Sequence, residues 1–227
     1  MNIINTNRNI DKGIKSVLGK LSTVKSVNTV KVKGKIIDRI CIKDKSLGML
    51  KICRLKEQDA PALFKFYFQG LSEKSRTLFP PYPLFSPFPD SAKELSDRIK
   101  DWGKENDWVF LNLFKDEKII GVCLLKRFKT GRPTSGLAVR EEFRKLGLGF
   151  LLQTIVNEQA RLLNLKRIYV TLAQDNLASL RVHKKCGFRQ TSRLVPHFVY
   201  KNGSKKIDRH DIEMLVEFNH VKDSCIK

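Results

Sequence analysis

Apolar side chains are sparse before Met49 and crowded after it, where short runs alternate with glycine, proline and charged turns. The run Met49-Leu50-Lys51-Ile52-Cys53-Arg54-Leu55 predicts a strand. A helix should follow, with Asp59 as cap, Pro61 in its first turn and Gly70 ending it in a left-handed conformation. Ser91-Ala92-Lys93-Glu94 has the form of a capping box, and Leu95, Ile99 and Trp102 give the next helix one apolar stripe before Gly103. Residues 108–114 and 118–128 predict a hairpin around Lys115-Asp116-Glu117, and 134–139 another strand. Residues 148–164 carry too many apolar positions for a surface helix and suit one lying flat on a sheet. A strand over 167–172 and a helix from Asp175 or Asn176 to Cys186 come next. Residues 188–200 and 211–218 then read as an antiparallel pair across a turn at Asn202-Gly203. The pattern is α+β, with strands 134–139 and 167–172 parallel through a βαβ crossover inside an otherwise antiparallel sheet.

Between the first two helices, residues 79–89 hold five of the chain's eight prolines and four aromatics. Proline fixes φ and removes donors, so this segment is an extended loop, either pinned by packing or lining a substrate. The 227 residues carry 44 Lys and Arg against 23 Asp and Glu, a formal charge of +21, with 41% apolar side chains. That composition supports a globular core and excludes wholesale disorder. No stretch has the roughly 20 apolar residues of a bilayer span, and residues 1–11 lack a secretory apolar run, so the expected compartment is the cytosol.

A strongly basic chain attracts anions whatever its fold: phosphate-bearing cofactors, nucleic acid or an acidic membrane. Residues 1–47 hold eleven Lys and Arg against three Asp and stand apart as a basic extension, solvated and partly disordered. Two alternatives are a nucleic-acid-binding arm, not favoured because stacking aromatics are missing, and an accessory hairpin around Lys33-Gly34-Lys35. The five cysteines show no C-x-x-C pair and read as reduced and structural, while the four dispersed histidines offer no metal-ligand spacing.

The chemistry concentrates in residues 137–149, Leu137-Ala138-Val139-Arg140-Glu141-Glu142-Phe143-Arg144-Lys145-Leu146-Gly147-Leu148-Gly149, which run from a strand through a basic turn into a helix N-terminus. Unpaired amides and the helix dipole favour an anion there, and Gly147 and Gly149 let a phosphate approach the backbone. A strand-to-helix turn with glycines kept for packing would look the same. Residues 13–20 miss the P-loop spacing, and Leu152 stands where a dinucleotide fingerprint needs its third glycine.

With Val139, Arg144, Gly147 and Gly149 in register, this segment resembles the pyrophosphate-binding motif of the GNAT superfamily, the acyl-CoA-dependent N-acyltransferases. A second stretch, Asn176-Leu177-Ala178-Ser179-Leu180-Arg181-Val182-His183-Lys184-Lys185-Cys186-Gly187-Phe188, resembles that family's Asn-x-x-Ala/Ser-x-x-x-Tyr-x-x-x-Gly-Phe. The resemblance implies a GNAT domain over 48–218, followed by a tail at 219–227. It implies a six- to seven-stranded sheet, mostly antiparallel, with splayed central parallel strands and helices on both faces. It further implies an N-acetyltransferase in which acetyl-CoA is attacked directly by a primary amine, on a small molecule or a protein N-terminus. Leu137, Ala138 and Val139 would bind the pantetheine, and Arg144, Lys145, Leu146, Gly147, Leu148 and Gly149 the diphosphate. Asn176 would bind the CoA arm or only cap its helix, and no metal is required.

His183 occupies the family's tyrosine position. An imidazolium there could protonate the leaving thiolate, or the ring could only hydrogen-bond the sulfur. For the base, Glu73, Asp107, His197 and a water chain all stay open. Tyr82 and Phe85 in the 79–89 loop become a candidate acceptor wall. A non-catalytic acyl-CoA-binding or nucleic-acid-binding protein on the same scaffold is the alternative, and monomer and homodimer are both compatible with the sequence.

Overall fold

The chain folds from two hairpins, a βαβ unit and a closing hairpin into a single sheet. In the computed structural model, described for residues 3–79, 84, 88–104, 107–129, 131–201 and 204–218, the strands are β1 (Val24–Lys33), β2 (Ile36–Asp44), β3 (Gly48–Arg54), β4 (Trp108–Lys115), β5 (Lys118–Lys126), β6 (Thr134–Val139), β7 (Arg167–Leu172), β8 (Arg189–Lys201) and β9 (Ser204–Glu217). Their order is β1-β2-β3-β4-β5-β6-β7-β9-β8. Every neighbouring pair is antiparallel except β6 and β7. The helices are α1 (Ile3–Gly19), α2 (Ala60–Gly70), α3 (Glu73–Leu78), α4 (Ala92–Trp102), α5 (Leu148–Leu162) and α6 (Leu177–Lys185). The Asn202-Gly203 turn, Tyr82, Phe85 and the 219–227 tail lie outside the described residues.

The sheet has nine strands among the described residues rather than six or seven, because the hairpin of β1 and β2 extends it beyond β3. Ile40 and Ile42 alternate onto the buried face, and Ile37, on the far side of the register shift between the Lys31–Arg39 and Val32–Ile37 pairs, joins them in the same core, all three fully buried. The β1–β2 register slips at three places, between Val24 and Ser26, Val27 and Thr29, and Lys31 and Val32. On the same face lie α5 and α1, whose Ile14 and Leu18 join the core built by Leu151, Leu152 and Ile155. Burying each such aliphatic side chain contributes roughly 1.5–3 kcal/mol. Residues 11–44 therefore take part in the main core.

The opposite face of β4 and β5 is covered by α2 and α4, with Leu63, Phe66, Leu95 and Ile99 packed on Phe110, Val122 and Leu124. Pro61 stands in the first turn of α2 as expected, but Asp59, at the cap position, makes no side-chain bond to the helix; its Oδ2 accepts from Lys56 N–H at 2.9 Å instead. Ser91 Oγ accepts from Glu94 N–H at 3.1 Å to start α4. Gly70 departs from expectation: it lacks a positive φ, and a Cβ there would lie 2.8 Å from the Arg140 side chain. Glycine is required by space, not by a left-handed cap. Helix α3, capped by Ser72, fills part of the connection between α2 and α4. The buried Tyr67 hydroxyl lies 3.0 Å from the carbonyls of both Arg76 and Phe79 and so anchors the end of α3.

Candidate active site

Strands β6 and β7 share one registered pair, Thr134 with Tyr169, and then part. On its other side β6 stays fully paired with β5, from Lys126–Thr134 to Gly121–Val139. Leu137, Ala138 and Val139 thus lie half-buried along a strand edge that opens into the gap. Such an edge can accept an extended ligand by main-chain hydrogen bonds.

Beyond Val139 the chain makes a 3-10 turn at Glu141–Phe143, and Lys145 then adopts φ 63°. Gly147 follows as the start of α5 with φ 80° and no side-chain cap. The first amides of α5 have no acceptor within the helix and face outward with the positive end of its dipole. A Cβ on Gly147 would stand 2.7 Å from Thr23 Cγ2, so the turn before β1 presses directly on this backbone. Gly149 has a different reason. A Cβ there would meet Val182 of α6 at 3.3 Å, which makes this glycine a close-packing residue between α5 and α6. Leu148 points inward to the core, whereas Leu146 is exposed.

Arg144 is held in place before any ligand arrives. Its NH1 pairs with Glu141 Oε2 at 2.7 Å, its NH2 donates to Ser75 Oγ at 2.8 Å, and its Nε donates to Val139 O at 3.4 Å. Glu141 Oε1 also accepts from Ser72 N–H at 3.0 Å and Ser75 Oγ at 2.8 Å. Burial pushes the Glu141 carboxyl up, but these hydrogen bonds and Arg144 outweigh it and keep it below the usual range. Glu142 is held down to about 2, first by Lys118 and also by Arg140. Both acidic residues in this basic turn therefore favour the ionised form and fix the positions of Arg144, Lys118 and Arg140. The sequence gives no sign of Ser72 and Ser75, which lie far upstream, nor of Thr23.

The second motif forms α6. Asn176 Oδ1 accepts from Ser179 N–H at 3.2 Å, so the helix cap is its role within the protein. His183 is 1% exposed and stacks edge-on against Phe188 with ring centroids 5.0 Å apart. Its Nδ1–H donates to the Ser179 carbonyl at 2.8 Å, while Nε2 is buried with no hydrogen-bond partner. Burial pushes its pKa down to about 4, against the opposing pull of the Ser179 carbonyl. The neutral ring is thereby favoured, with its proton on Nδ1. As placed, Nδ1 carries the proton and Nε2 offers a lone pair, an arrangement in which the ring can accept a hydrogen bond from a thiol and acts as an acid only after taking up a proton.

The candidate bases are also separated by the fold. Asp107 accepts from Lys129 N–H in a loop contact, and Glu73 begins α3. His197 alone has a carboxylate partner, with Nδ1 3.3 Å from Asp211 Oδ2. In the proline-rich segment, Leu84 is fully buried. Phe79 lies over Gly136 of β6, where a Cβ would meet its ring at 3.0 Å. No group of three or more His, Cys, Asp or Glu suited to a metal occurs among the described residues, and no described helix is long and apolar enough to cross a membrane.

Parted parallel strands thus lead into a glycine-started helix at the centre of an α+β sheet. Residues 50–189, more than half of the chain, match the family model described as an acetyltransferase (GNAT) domain. The chain belongs to the GNAT acetyltransferases. None of the curated proteins matches it. Among solved structures, the ribosomal-protein-S5-alanine acetyltransferase from Vibrio fischeri is similar, at 18% identity and TM-score 0.59 over 74% of this chain and 92% of that one. Spermidine N-acetyltransferase from Vibrio cholerae, solved with CoA and spermine, has 17% identity and TM-score 0.58 over 74% and 95%. RimJ from Mycobacterium smegmatis, solved with CoA-disulfide, has 13% identity and TM-score 0.58 over 84% and 86%.

Proposed function

We propose that the protein transfers an acetyl group from acetyl-CoA to a primary amine by direct attack, both substrates being bound together. The observation that carries this reading is the continuity of the free β6 edge with the Gly147 turn. The fit is specific to an extended ligand that ends in phosphates. Leu137, Ala138 and Val139 would pair with the pantetheine amides, the amides of residues 146–149 would receive the diphosphate, and Arg144 and Lys145 would neutralise it. Acetyl-CoA supplies the activated thioester. The protein orients it, keeps water from the gap and takes up the proton that an alkylammonium must lose.

The acceptor is a small polyamine or a protein N-terminus. The two similar structures named for alanine and spermidine acetylation support these classes, and Phe79 over Gly136 supplies one wall beside β6. The four described cysteines are all free thiols, which suits a reducing cytosol. The test measures CoA binding by calorimetry and thiol release from acetyl-CoA with spermidine and with peptides bearing N-terminal alanine or serine. Turnover that collapses in Gly147→Glu supports the enzyme. CoA binding with no acceptor turned over would leave an acyl-CoA-binding protein on this scaffold.

A further inference from the structure

The first hairpin adds to the sheet a face that the acetyl-transfer reading does not use. Along β2 and β3, Ile40, Ile42, Leu50 and Ile52 point to the α5 side and are buried in its core. The residues that alternate with them, Arg39, Cys41, Lys43, Met49, Lys51 and Cys53, therefore point to the other side. On that side α2 and α4 pack over β4 and β5, whereas Arg39, Lys43, Met49 and Lys51 are exposed. Cross-strand pairing sets Lys31 of β1 opposite Arg39 and Thr29 opposite Cys41, so β1 continues the same face.

Lys31, Arg39, Lys43 and Lys51 thus stand on one side of three neighbouring strands. Lys31 and Arg39 are directly opposed, and like charges so placed cost stability. None of the four forms an ion pair among the described residues. The acidic residues of these strands are engaged elsewhere. Asp38, at the register shift of β2, lies 3.6 Å from Lys33 Nζ. Asp44 is buried and accepts from Ser46 N–H at 2.8 Å and Leu47 N–H at 2.9 Å. At the border with β4, Lys51 Nζ stands 5.4 Å from the Phe114 ring centroid. Between the cations the side chains are small, Thr29, Cys41 and Cys53, so the face has low relief. Pleat and strand spacing set neighbouring positions on it about 7 Å apart along a strand and about 5 Å apart across strands.

Unpaired cations held on a rigid sheet suit a partner that carries one negative charge per repeat. A protein interface centres on apolar and aromatic anchors. Here cations occupy the centre, and Phe114 at the border lies under Lys51. Duplex DNA is read by an element that enters a groove, whereas a flat face receives an unpaired strand. Of the nucleic acids, RNA is the one recognised chiefly through unpaired segments. We infer that this face docks single-stranded RNA through its phosphates, with Lys31, Arg39, Lys43 and Lys51 as the contacts. Phosphate contacts position a strand without reading its bases, so the docking is independent of sequence and needs no stacking aromatics. It is also separate from acetyl transfer, because the anion turn at Gly147 opens α5 on the other face of the sheet.

The experiment titrates the full-length protein into a labelled oligouridine of about 12 nucleotides and reads fluorescence anisotropy at several salt concentrations. One variant combines Lys31→Gln, Arg39→Gln, Lys43→Gln and Lys51→Gln. A second removes the same charge from exposed helix positions, by Lys12→Gln, Lys15→Gln, Lys65→Gln and Lys93→Gln. The first should bind about 10–100-fold more weakly than wild type at low salt, and its slope of log affinity on log salt should be shallower by about 0.7 per cation removed. The second should lose no more than about threefold, the share due to net charge alone. At moderate salt, CoA affinity in the first should stay within about twofold of wild type, since exposed charges beyond a Debye length are screened. Bound RNA should slow alkylation of Cys41 and Cys53 more than that of Cys186. Equal losses in the two variants would overturn the face as the site. Polyglutamate of equal charge, or duplex DNA, bound as tightly as the oligouridine would overturn single-stranded RNA as the partner. A wild type that binds no RNA at low salt would overturn the inference entirely and leave the enzyme reading intact.

Discussion

Gln159 of α5 holds the backbone of β2 through both ends of its amide: Ile37 N–H donates to Oε1 at 2.8 Å, and Nε2 donates to the Lys35 carbonyl at 2.8 Å. The side chain is 1% exposed, and its bond to Ile37 N–H is buried while that to the Lys35 carbonyl is part-buried. One glutamine thus ties the first hairpin to the helix that starts at the anion cradle. Gln159→Leu should destabilise the protein by about 1–3 kcal/mol, since the buried Ile37 N–H loses its acceptor and the part-buried Lys35 carbonyl its donor. Urea unfolding followed by tryptophan fluorescence measures this, with an unchanged slope expected because the same surface unfolds.

Gly147 is constrained twice, by φ 80° and by Thr23. Gly147→Ala should cost about 1–3 kcal/mol from the left-handed backbone alone, with further loss from the methyl contact. Thr23→Ser deletes that methyl, so the double variant should regain the steric part of the loss and keep the conformational part. Thermal melts of the four proteins in this cycle give the coupling directly, and strict additivity would contradict the contact.

Arg144 depends on Glu141. Glu141→Gln keeps an oxygen for Ser72 and Ser75 but turns an amide toward the guanidinium, which loosens it. CoA affinity should fall about two- to fivefold at low salt, with the difference shrinking as salt screens the cradle. Calorimetry at two ionic strengths tests it, and equal affinity at low salt would contradict the role given to Glu141.

Lys126 ends β5, where burial, reinforced by neighbouring Arg127, moves its pKa from 10.5 down to about 8. The folded state therefore releases this proton before the unfolded state does, and stability gains from the site as pH rises from about 8 to 10.5. Below that window the buried charge is a penalty. Lys126→Met should raise stability at pH 7 by about 1–3 kcal/mol, and the gain should shrink above pH 10. Chemical denaturation at pH 7 and pH 10 checks the sign.

Most strands were readable because their chemistry is local. The boundaries 167–172 follow from the period-two run Ile168, Val170, Leu172, those of 134–139 from the apolar close Leu137-Ala138-Val139 before the charged turn, and α5 begins at Leu148 where glycines and apolar crowding place it. The anion turn was readable for the same reason: its amides, glycines and cations are contiguous. What escaped were relations across sequence distance. Arg140 explains Gly70, Thr23 abuts Gly147, and Glu141 accepts from serines of α3, yet no spacing rule connects them. His183 escaped for another reason. A histidine at a motif position looks titratable, and its burial against Phe188, which pushes its pKa down, is a tertiary relation that no spacing reveals. The first hairpin was visible as alternation, but its entry into the main sheet depends on β3 offering a free edge.

The three register slips between β1 and β2 have a consequence for how molecules meet in solution. β1 is the outermost strand on its side of the sheet, and an unbroken border of that length would present a template for fibre-like stacking. Each slip bends the ribbon and interrupts the ladder of unpaired amides, so a second chain finds no straight margin to continue.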